Sequence, residues 1–489
     1  MDSSDTKTQI SSTAEKESLF YNLTRSICPK CKRTINAQIL IEDNKVFMKK
    51  RCPDHGWFKS LISSDFEYYK IVERFNKPGL KKSTYQTEVE KGCPDDCGIC
   101  TEHKQHTCLA LIEINSKCNM NCNVCFAETS DKGVNLPFEV VNRMIETLVK
   151  SEHEIELIQI SGGEPTIHPD FFQIIETCKE SGVKTVMVNT NGRKFASSTD
   201  FATKTKEAGV NAIYLQFDGF KKRTYEKIRG DPNLLQEKLR AIQNLAEVGL
   251  SVTLVMTIVE GINDDEIGEV INFMHKTKGI TGLSLQPYFD EGRLIQEYDP
   301  LNHITLPDIL LKIETQTKGL YVKNDFFPIP CPDPHCSACT FSYIDPETKE
   351  FTTIRRLVDI EDYLDFFTNT TLPSNAEIAI RDALEGLFSM TTTPGSKELV
   401  EGYCVACGID FNLESIKSAL DDYIEHLKMI TIKPFQSAWD LDVKRLMKCC
   451  IHEVLPDGKI MPFCAYNAIY RDNYNLRDYL NPKNEVKDH

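Results

Sequence analysis

Short apolar runs recur along the middle of the chain: LALIEI (109–114), ELIQI (156–160), KTVMVN (184–189), AIYLQF (212–217), SVTLVMTIV (251–259) and LSLQP (283–287). Each has the length and residue types of a buried strand. Between them lie amphipathic stretches of helical length, among them PFEVVNRMIETLVKS, PDFFQIIETCKES and PNLLQEKLRAIQNLAEVG. Such alternation predicts right-handed βαβ units and a parallel α/β sheet. A partial barrel and an open doubly wound sheet satisfy the pattern equally.

The flanks break the pattern and divide the chain. Residues 1–18 are polar and predict a disordered tail. Residues 19–106 form a cysteine-rich module, in which ICPKCKRTINAQILIEDNKVFMKKRCPDHGWF reads as a metal knuckle, a strand pair and a second knuckle. The alternating region occupies 107–300. After it, residues 301–489 read as an accessory metal-binding domain, with a mainly helical stretch containing EIAIRDALEGLFSM.

Composition narrows the class. The chain has 489 residues, 41% of them hydrophobic, and a net charge of −15. The acidic balance argues against a nucleic-acid footprint. The N-terminus lacks the apolar core of a signal peptide, and no window reaches the roughly 18 apolar residues of a spanning helix. A cytoplasmic chain is expected. Its 19 cysteines then point to metal ligation rather than to disulfides. Cys178 alone stands apart, inside a helical pattern where a small buried residue is expected.

The thiols fall into sets. Cys118-Asn-Met-Asn-Cys122-Asn-Val-Cys125 follows the strand-like LIEIN directly. Three thiolates on one loop can hold three irons of a 4Fe–4S cluster and leave the fourth iron open. A zinc knuckle with a distant fourth ligand has the same local spacing. Cys28, Cys31, Cys52 and His55 have the two-knuckle layout of a site for zinc or a single iron. His55 either ligates or packs beside Trp57. Cys93, Cys97, Cys100 and Cys108 form a second possible four-thiolate set. Cys331, Cys336, Cys339, Cys404, Cys407, Cys449, Cys450 and Cys464 would suffice for two four-thiolate 4Fe–4S clusters, with the adjacent Cys449 and Cys450 shared between sites or one of them idle.

The CxxxCxxC loop after a first strand resembles that of the radical S-adenosylmethionine (radical SAM) superfamily, and the downstream elements match in order. Ser161-Gly162-Gly163-Glu164-Pro165 follows the second run, Asn189-Thr190-Asn191-Gly192 the third, Asp218-Gly219 the fourth and Val259-Glu260-Gly261 the fifth. The resemblance implies a partial (β/α)6 barrel whose site lies at the C-terminal strand ends. It makes Cys118, Cys122 and Cys125 the catalytic cluster ligands. It assigns cofactor contacts to Phe126, Gly162, Gly163, Glu164, Asn189, Asn191, Asp218 and Val259, with the Glu164 carboxylate pairing the methionyl ammonium. Reductive cleavage of S-adenosylmethionine to a 5′-deoxyadenosyl radical is the implied chemistry. One departure is that Val124 stands before the third cysteine, where an aromatic is common.

Taken together, CPKC…CPDHGWF, GCPDDCGICTEHKQHTC, SGGEPTIHPDFF and CPDPHCSACTF resemble one archaeal family, tetraether lipid synthase, over about residues 25–470. That resemblance implies coupling of the terminal methyl carbons of two isoprenoid diether-lipid tails, an sp3–sp3 bond. It also implies three 4Fe–4S clusters, one rubredoxin-like iron, an electron donor such as ferredoxin, and peripheral membrane contact. The C-terminal thiols resemble the auxiliary clusters of SPASM-type enzymes. Two other functions fit the same motifs. One is a radical SAM methylase of a pterin precursor, favoured by polar and acidic pocket residues. The other is a non-catalytic zinc-binding scaffold.

Overall fold

The computed structural model describes residues 18–80, 82, 84–152, 154–345, 348–357, 359–361 and 426–481. Nearly all of the expected tail at 1–18 lies outside them, as do Cys404, Cys407 and the stretch EIAIRDALEGLFSM.

The N-terminal module is an antiparallel sheet of four strands in sequence order: β1 (Leu19–Ile27), β2 (Thr34–Glu42), β3 (Lys45–Cys52) and β4 (Gly56–Ser63). The strand pair read between the knuckles is β2–β3. Its turn is set by Asp43 and Asn44, both at positive φ, which a two-residue hairpin requires and these residue types tolerate.

The six apolar runs form six parallel strands: β5 (Leu109–Glu113), β6 (Leu157–Ser161), β7 (Thr185–Thr190), β8 (Ala212–Gln216), β9 (Ser251–Ile258) and β10 (Ile280–Pro287). They pair in sequence order, each with the next. A doubly wound sheet reverses its strand order part-way. This one does not, so the (β/α)6 arrangement is the one adopted. Side chains alternate between two faces with period two. Ala110, Ile112, Ile158, Ile160, Val186, Val188, Ile213 and Leu215 join the core beneath the helices. Leu109, Leu111, Leu157, Met187, Tyr214 and Val255 form a separate inner cluster. Toward the C-terminal strand ends that inner face turns polar, with Gln159, Ser161, Asn189, Gln216, Thr257 and Gln286.

The described residues after 300 do not stand apart from the barrel sheet. β11 (Ala338–Ile344) lies antiparallel between β12 (Phe351–Thr353) and β13 (Leu427–Ile432), and β13 adds parallel to β10. At the opposite edge β14 (Ile451–Val454) adds parallel to β5 and carries β15 (Ile460–Pro462). The C-terminal segment thus covers both edges of the six-stranded core, whose unpaired backbone groups would otherwise be exposed. The expected boundary at 300 marks a change of topology, not a break in the sheet. The N-terminal module docks on the same assembly: Lys50 Nζ donates to Ala438 O (2.8 Å) and Ser60 Oγ to Trp439 O (2.8 Å).

Ile430 of β13 is fully buried in the main core. Replacing it by Ala removes packing there and is expected to cost roughly 2–5 kcal/mol. Chemical denaturation followed by tryptophan-independent far-UV dichroism should show the whole barrel shifting in one transition. An unshifted barrel transition would mean that β13 is not part of its core.

Candidate active site

The strand ends and the cysteine loop enclose a cavity of about 200 Å³. Cys118, Cys122 and Cys125 line it, together with Phe126, Gly162, Gly163, Asn189 and Asn191. Among the described residues these three thiols do not form a group within 4.8 Å of one another, whereas two other sets do. Ligands of one tetrahedral ion sit about 4 Å apart. Wider spacing suits a cluster whose irons occupy separate corners, so the loop fits the cubane that its motif implies.

The glycines are dictated by packing. A Cβ on Gly162 would lie 2.3 Å from Asn115 O, and one on Gly163 would lie 2.3 Å from Lys117 O. Gly163 N–H donates to Asn115 O (2.8 Å) and Glu164 N–H to Lys117 O (2.9 Å). The turn is therefore pressed against the segment that leads into Cys118.

Glu164 takes a different place from the one expected. It is 1% exposed and does not line the cavity. Its carboxylate accepts from Thr166 Oγ1 (2.6 Å), Thr190 Oγ1 (2.7 Å), Asn191 N–H (2.7 Å) and Thr166 N–H (3.2 Å). Burial pushes its carboxyl above the usual range, against hydrogen bonds that favour the anion. Glu164 ties the ends of β6 and β7 together.

Asp218 and Val259 also stand behind the wall. Val259 is fully buried and donates its N–H to Asn263 Oδ1 (2.8 Å). Asp218 is fully buried and paired with Arg229, both of whose contacts are 2.8 Å. Arg229 reaches the cysteine loop as well, donating to Val124 O (3.1 Å). Burial opposes the charge of Arg229, but the Asp218 carboxylate outweighs it and holds the guanidinium protonated. Lys238, fully buried, donates to Asn191 O and to Gln216 Oε1 (2.9 Å). Burial pulls its ammonium down to about 8. Sequence reading passed over Arg229 and Lys238. It also passed over Gln159, Gln216 and Gln286, although a lone Gln near the end of an apolar strand was a visible signal.

In the N-terminal module Cys28, Cys31, Cys52 and His55 converge. Cys28 Sγ and Cys52 Sγ lie 3.6 and 3.5 Å from His55 Nδ1, and Cys31 Sγ lies 3.8 Å from Cys52 Sγ. These are the edge lengths of a tetrahedron around zinc, with Zn–S near ~2.3 Å. His55 belongs to the ligand set, while Trp57 is 62% exposed under the Lys49 ammonium.

The remaining thiols regroup. Cys108 leaves the set expected with Cys93, Cys97 and Cys100. Its sulfur converges with those of Cys331 and Cys450 within 4.8 Å, and Cys339 packs in the same core cluster. Cys108 and Cys331 sulfurs are in bonding contact, but their Cα atoms are 7.7 Å apart. A disulfide spans at most about 7 Å there. Convergence of three sulfurs is better accounted for by a metal assembly. Cys93, Cys97 and Cys464 share another cluster, and Cys336 accepts from Arg445 Nε (3.3 Å). Burial raises the Cys449 and Cys464 thiols, and the nearby thiols add to the effect. Cys178 is fully buried in the main core, as expected.

With this geometry in place, residues 112–274 match the radical SAM superfamily and residues 20–64 match the "HMPTM N-terminal zinc ribbon domain". The chain is 36% identical, over 92% of its length and 94% of the relative's, to 7,8-dihydro-6-hydroxymethylpterin dimethyltransferase of Methanocaldococcus jannaschii. It belongs to that enzyme's family. A probable GTP 3′,8-cyclase of Pyrococcus horikoshii is 30% identical over 35% of this chain and 54% of its own. Among solved structures, Streptococcus suis SuiB bound to its precursor peptide SuiA covers 95% of this chain and 89% of that chain at 12% identity, with a TM-score of 0.37. The protein is a radical SAM enzyme carrying a zinc ribbon. No helix among the described residues is long and apolar enough to cross a membrane.

Two outcomes follow from this site. Gly163→Ala must push the turn off Lys117 O and is expected to cost roughly 1–3 kcal/mol. The denaturation midpoint reads that loss, and a weaker S-adenosylmethionine affinity should accompany it. In the ribbon, Cys52→Ser or His55→Ala should release zinc, since ligand loss in a four-coordinate site removes binding energy that is also folding energy. Metal analysis showing undiminished zinc in both variants would place the ion elsewhere.

Proposed function

We propose that the protein is a radical SAM methyltransferase acting on a pterin of the 7,8-dihydro-6-hydroxymethylpterin type. The observation that carries this reading is the 36% identity across nearly the whole chain to an enzyme of that name. The cavity wall supports it in character. Three glutamines, two asparagines and Glu291 share the lining with Phe126, Phe289, Phe435 and Phe463. Polar and acidic groups of this kind suit a heteroaromatic substrate with many hydrogen-bonding edges. The lipid-coupling reading drawn from motif resemblance is supported less well, because the relative similar over 92% of the chain is named for pterin methylation.

When bound, the loop cluster and S-adenosylmethionine supply one-electron radical chemistry. The chain's own residues hold and shape. Cys118, Cys122 and Cys125 would ligate the cluster. Asn189 and Asn191 offer amide groups to a polar ligand beside Gly162 and Gly163. The phenylalanines cover the opposite wall and exclude water, which a radical site requires to avoid side reactions. We read the thiols of Cys108, Cys331 and Cys450, with Cys339 packed beside them, as a further metal site. A low-potential donor such as ferredoxin would reduce the enzyme.

Anaerobically reconstituted protein, given a chemical reductant, S-adenosylmethionine and 7,8-dihydro-6-hydroxymethylpterin, is expected to yield methylated pterin and 5′-deoxyadenosine by mass spectrometry. Cys118→Ala should abolish both products. A parallel reaction with an archaeal diether lipid separates the rival: coupled lipid with unmodified pterin would replace this reading by the lipid one.

A further inference from the structure

Glu291 is the one acidic residue in the cavity wall among the described residues, and nothing above gives it a role. It follows β10 in a short segment that is fastened to the cysteine loop. Its N–H donates to Phe289 O (2.9 Å). Gly292, at φ +68°, lets the backbone approach so closely that a Cβ there would lie 2.4 Å from Cys125 O. Arg293 exchanges both backbone hydrogen bonds with Cys125, at 3.0 and 3.2 Å. Its guanidinium donates to Cys122 O (3.0 Å) and Thr129 O (2.9 Å). Glu291 is thus held on constrained backbone beside the loop that carries the catalytic thiols.

The Ala438 amide supports the carboxylate from one side. Oε1 is buried without any hydrogen-bond partner. Such an oxygen is rare in a folded protein, and a turn of the side chain toward the cavity that Glu291 lines would bring it to a donor there. Of the three cations in the same wall, Arg229 is paired with Asp218, Arg293 donates to the backbone of the loop, and Lys433 lies in the field of the Cys339 and Cys450 thiols; Lys32 acts on Glu291 only through space. Beside Glu291 stands a run of aromatic rings. Phe289 and Phe435 are 5.8 Å apart, Phe435 and Phe463 4.5 Å, and Phe463 and Phe126 5.7 Å. Flat apolar surface next to a free carboxylate oxygen complements a flat ring with adjacent N–H donors.

We infer that Glu291 receives the 2-amino and N3–H edge of the pterin and so fixes which ring carbons face the cysteine loop. The inference rests on the pterin reading above. A carboxylate facing two N–H donors forms charge-assisted bonds, and Gln in its place offers one acceptor and one opposed donor.

The test is equilibrium binding to anaerobically reconstituted enzyme saturated with S-adenosylmethionine. The probes are 7,8-dihydro-6-hydroxymethylpterin and the same ring without its 2-amino group. Wild type should bind the first about 10–100-fold more tightly than the second, the scale of a charge-assisted pair. Glu291→Gln should lose that margin while keeping its iron content, thermal midpoint and S-adenosylmethionine affinity. Glu291→Asp should recover part of it. Tight pterin binding by wild type and Glu291→Gln alike would overturn the inference and leave the pterin reading standing. Loss of S-adenosylmethionine affinity instead would assign Glu291 to the cofactor's ammonium and overturn it too. Failure of wild type to bind either pterin would remove the pterin reading itself, and the inference with it.

Discussion

The buried ion pair between Asp218 and Arg229 is the interaction on which the site depends. Asp218 sits at the end of β8 and accepts from Thr257 N–H of β9 (3.2 Å) and from Gln216 Nε2 (2.9 Å). Arg229 carries that arrangement outward to Thr257 Oγ1 (3.0 Å) and Val124 O (3.1 Å). One guanidinium therefore fixes the catalytic loop to two adjacent strand ends. Removing either partner would strand the other charge in a dry interior, a cost of roughly 3–5 kcal/mol. The loop's own apolar anchors are Met120, packed with Tyr225 and Leu234, and Val124, packed with Ile228 and Tyr288. Its geometry is held by an ion pair of which Asp218 lies behind the wall and Arg229 lines the cavity.

That division between wall and support explains what the sequence could and could not disclose. Strand identity was legible, because a run such as LALIEI can bury itself only within a sheet. The two faces of each strand follow from period-two alternation, and the glycines of the turn after β6 follow from a close approach that no side chain permits. The direction in which Glu164 points was not legible. A carboxylate beside two glycines reads equally as a ligand contact or as a brace, and the hydrogen bonds it accepts from Thr190 and Asn191 come from the next strand. Thiol grouping was hidden for the same reason. Cys108 lies eight residues from Cys100 in sequence, yet it meets Cys331 and Cys450 because β14 pairs with β5 and β11 reaches the sheet through β13. Partners chosen by strand addition at the two edges leave no trace in local spacing.

The motif resemblance led to a superfamily, and that holds. It led less well to a substrate. The loop, the GGE turn and the ribbon are devices for holding a cluster, a cofactor and a zinc ion, and enzymes with different substrates share them. Function resides in the site built on the fold, not in the fold itself. The inner face and the segment after β10, where Gln159, Gln216, Gln286 and Phe289 line the cavity, carry no recognisable motif. They become visible only when the strands are set side by side.

Fastening the segment after β10 to the cysteine loop has a chemical consequence. A radical generated at the loop is useful only if the substrate carbon is already close and correctly turned, because an unguided radical attacks whatever is near. Most sites meet that demand through contacts among independent elements, each with its own small motions. Here the Cys125–Arg293 backbone bridge joins the segment after β10 directly to the cysteine loop. Side-chain positioning within about half an ångström is what effective catalysis asks of such a constellation. Two backbone hydrogen bonds and a close-approaching glycine join the two segments at this point.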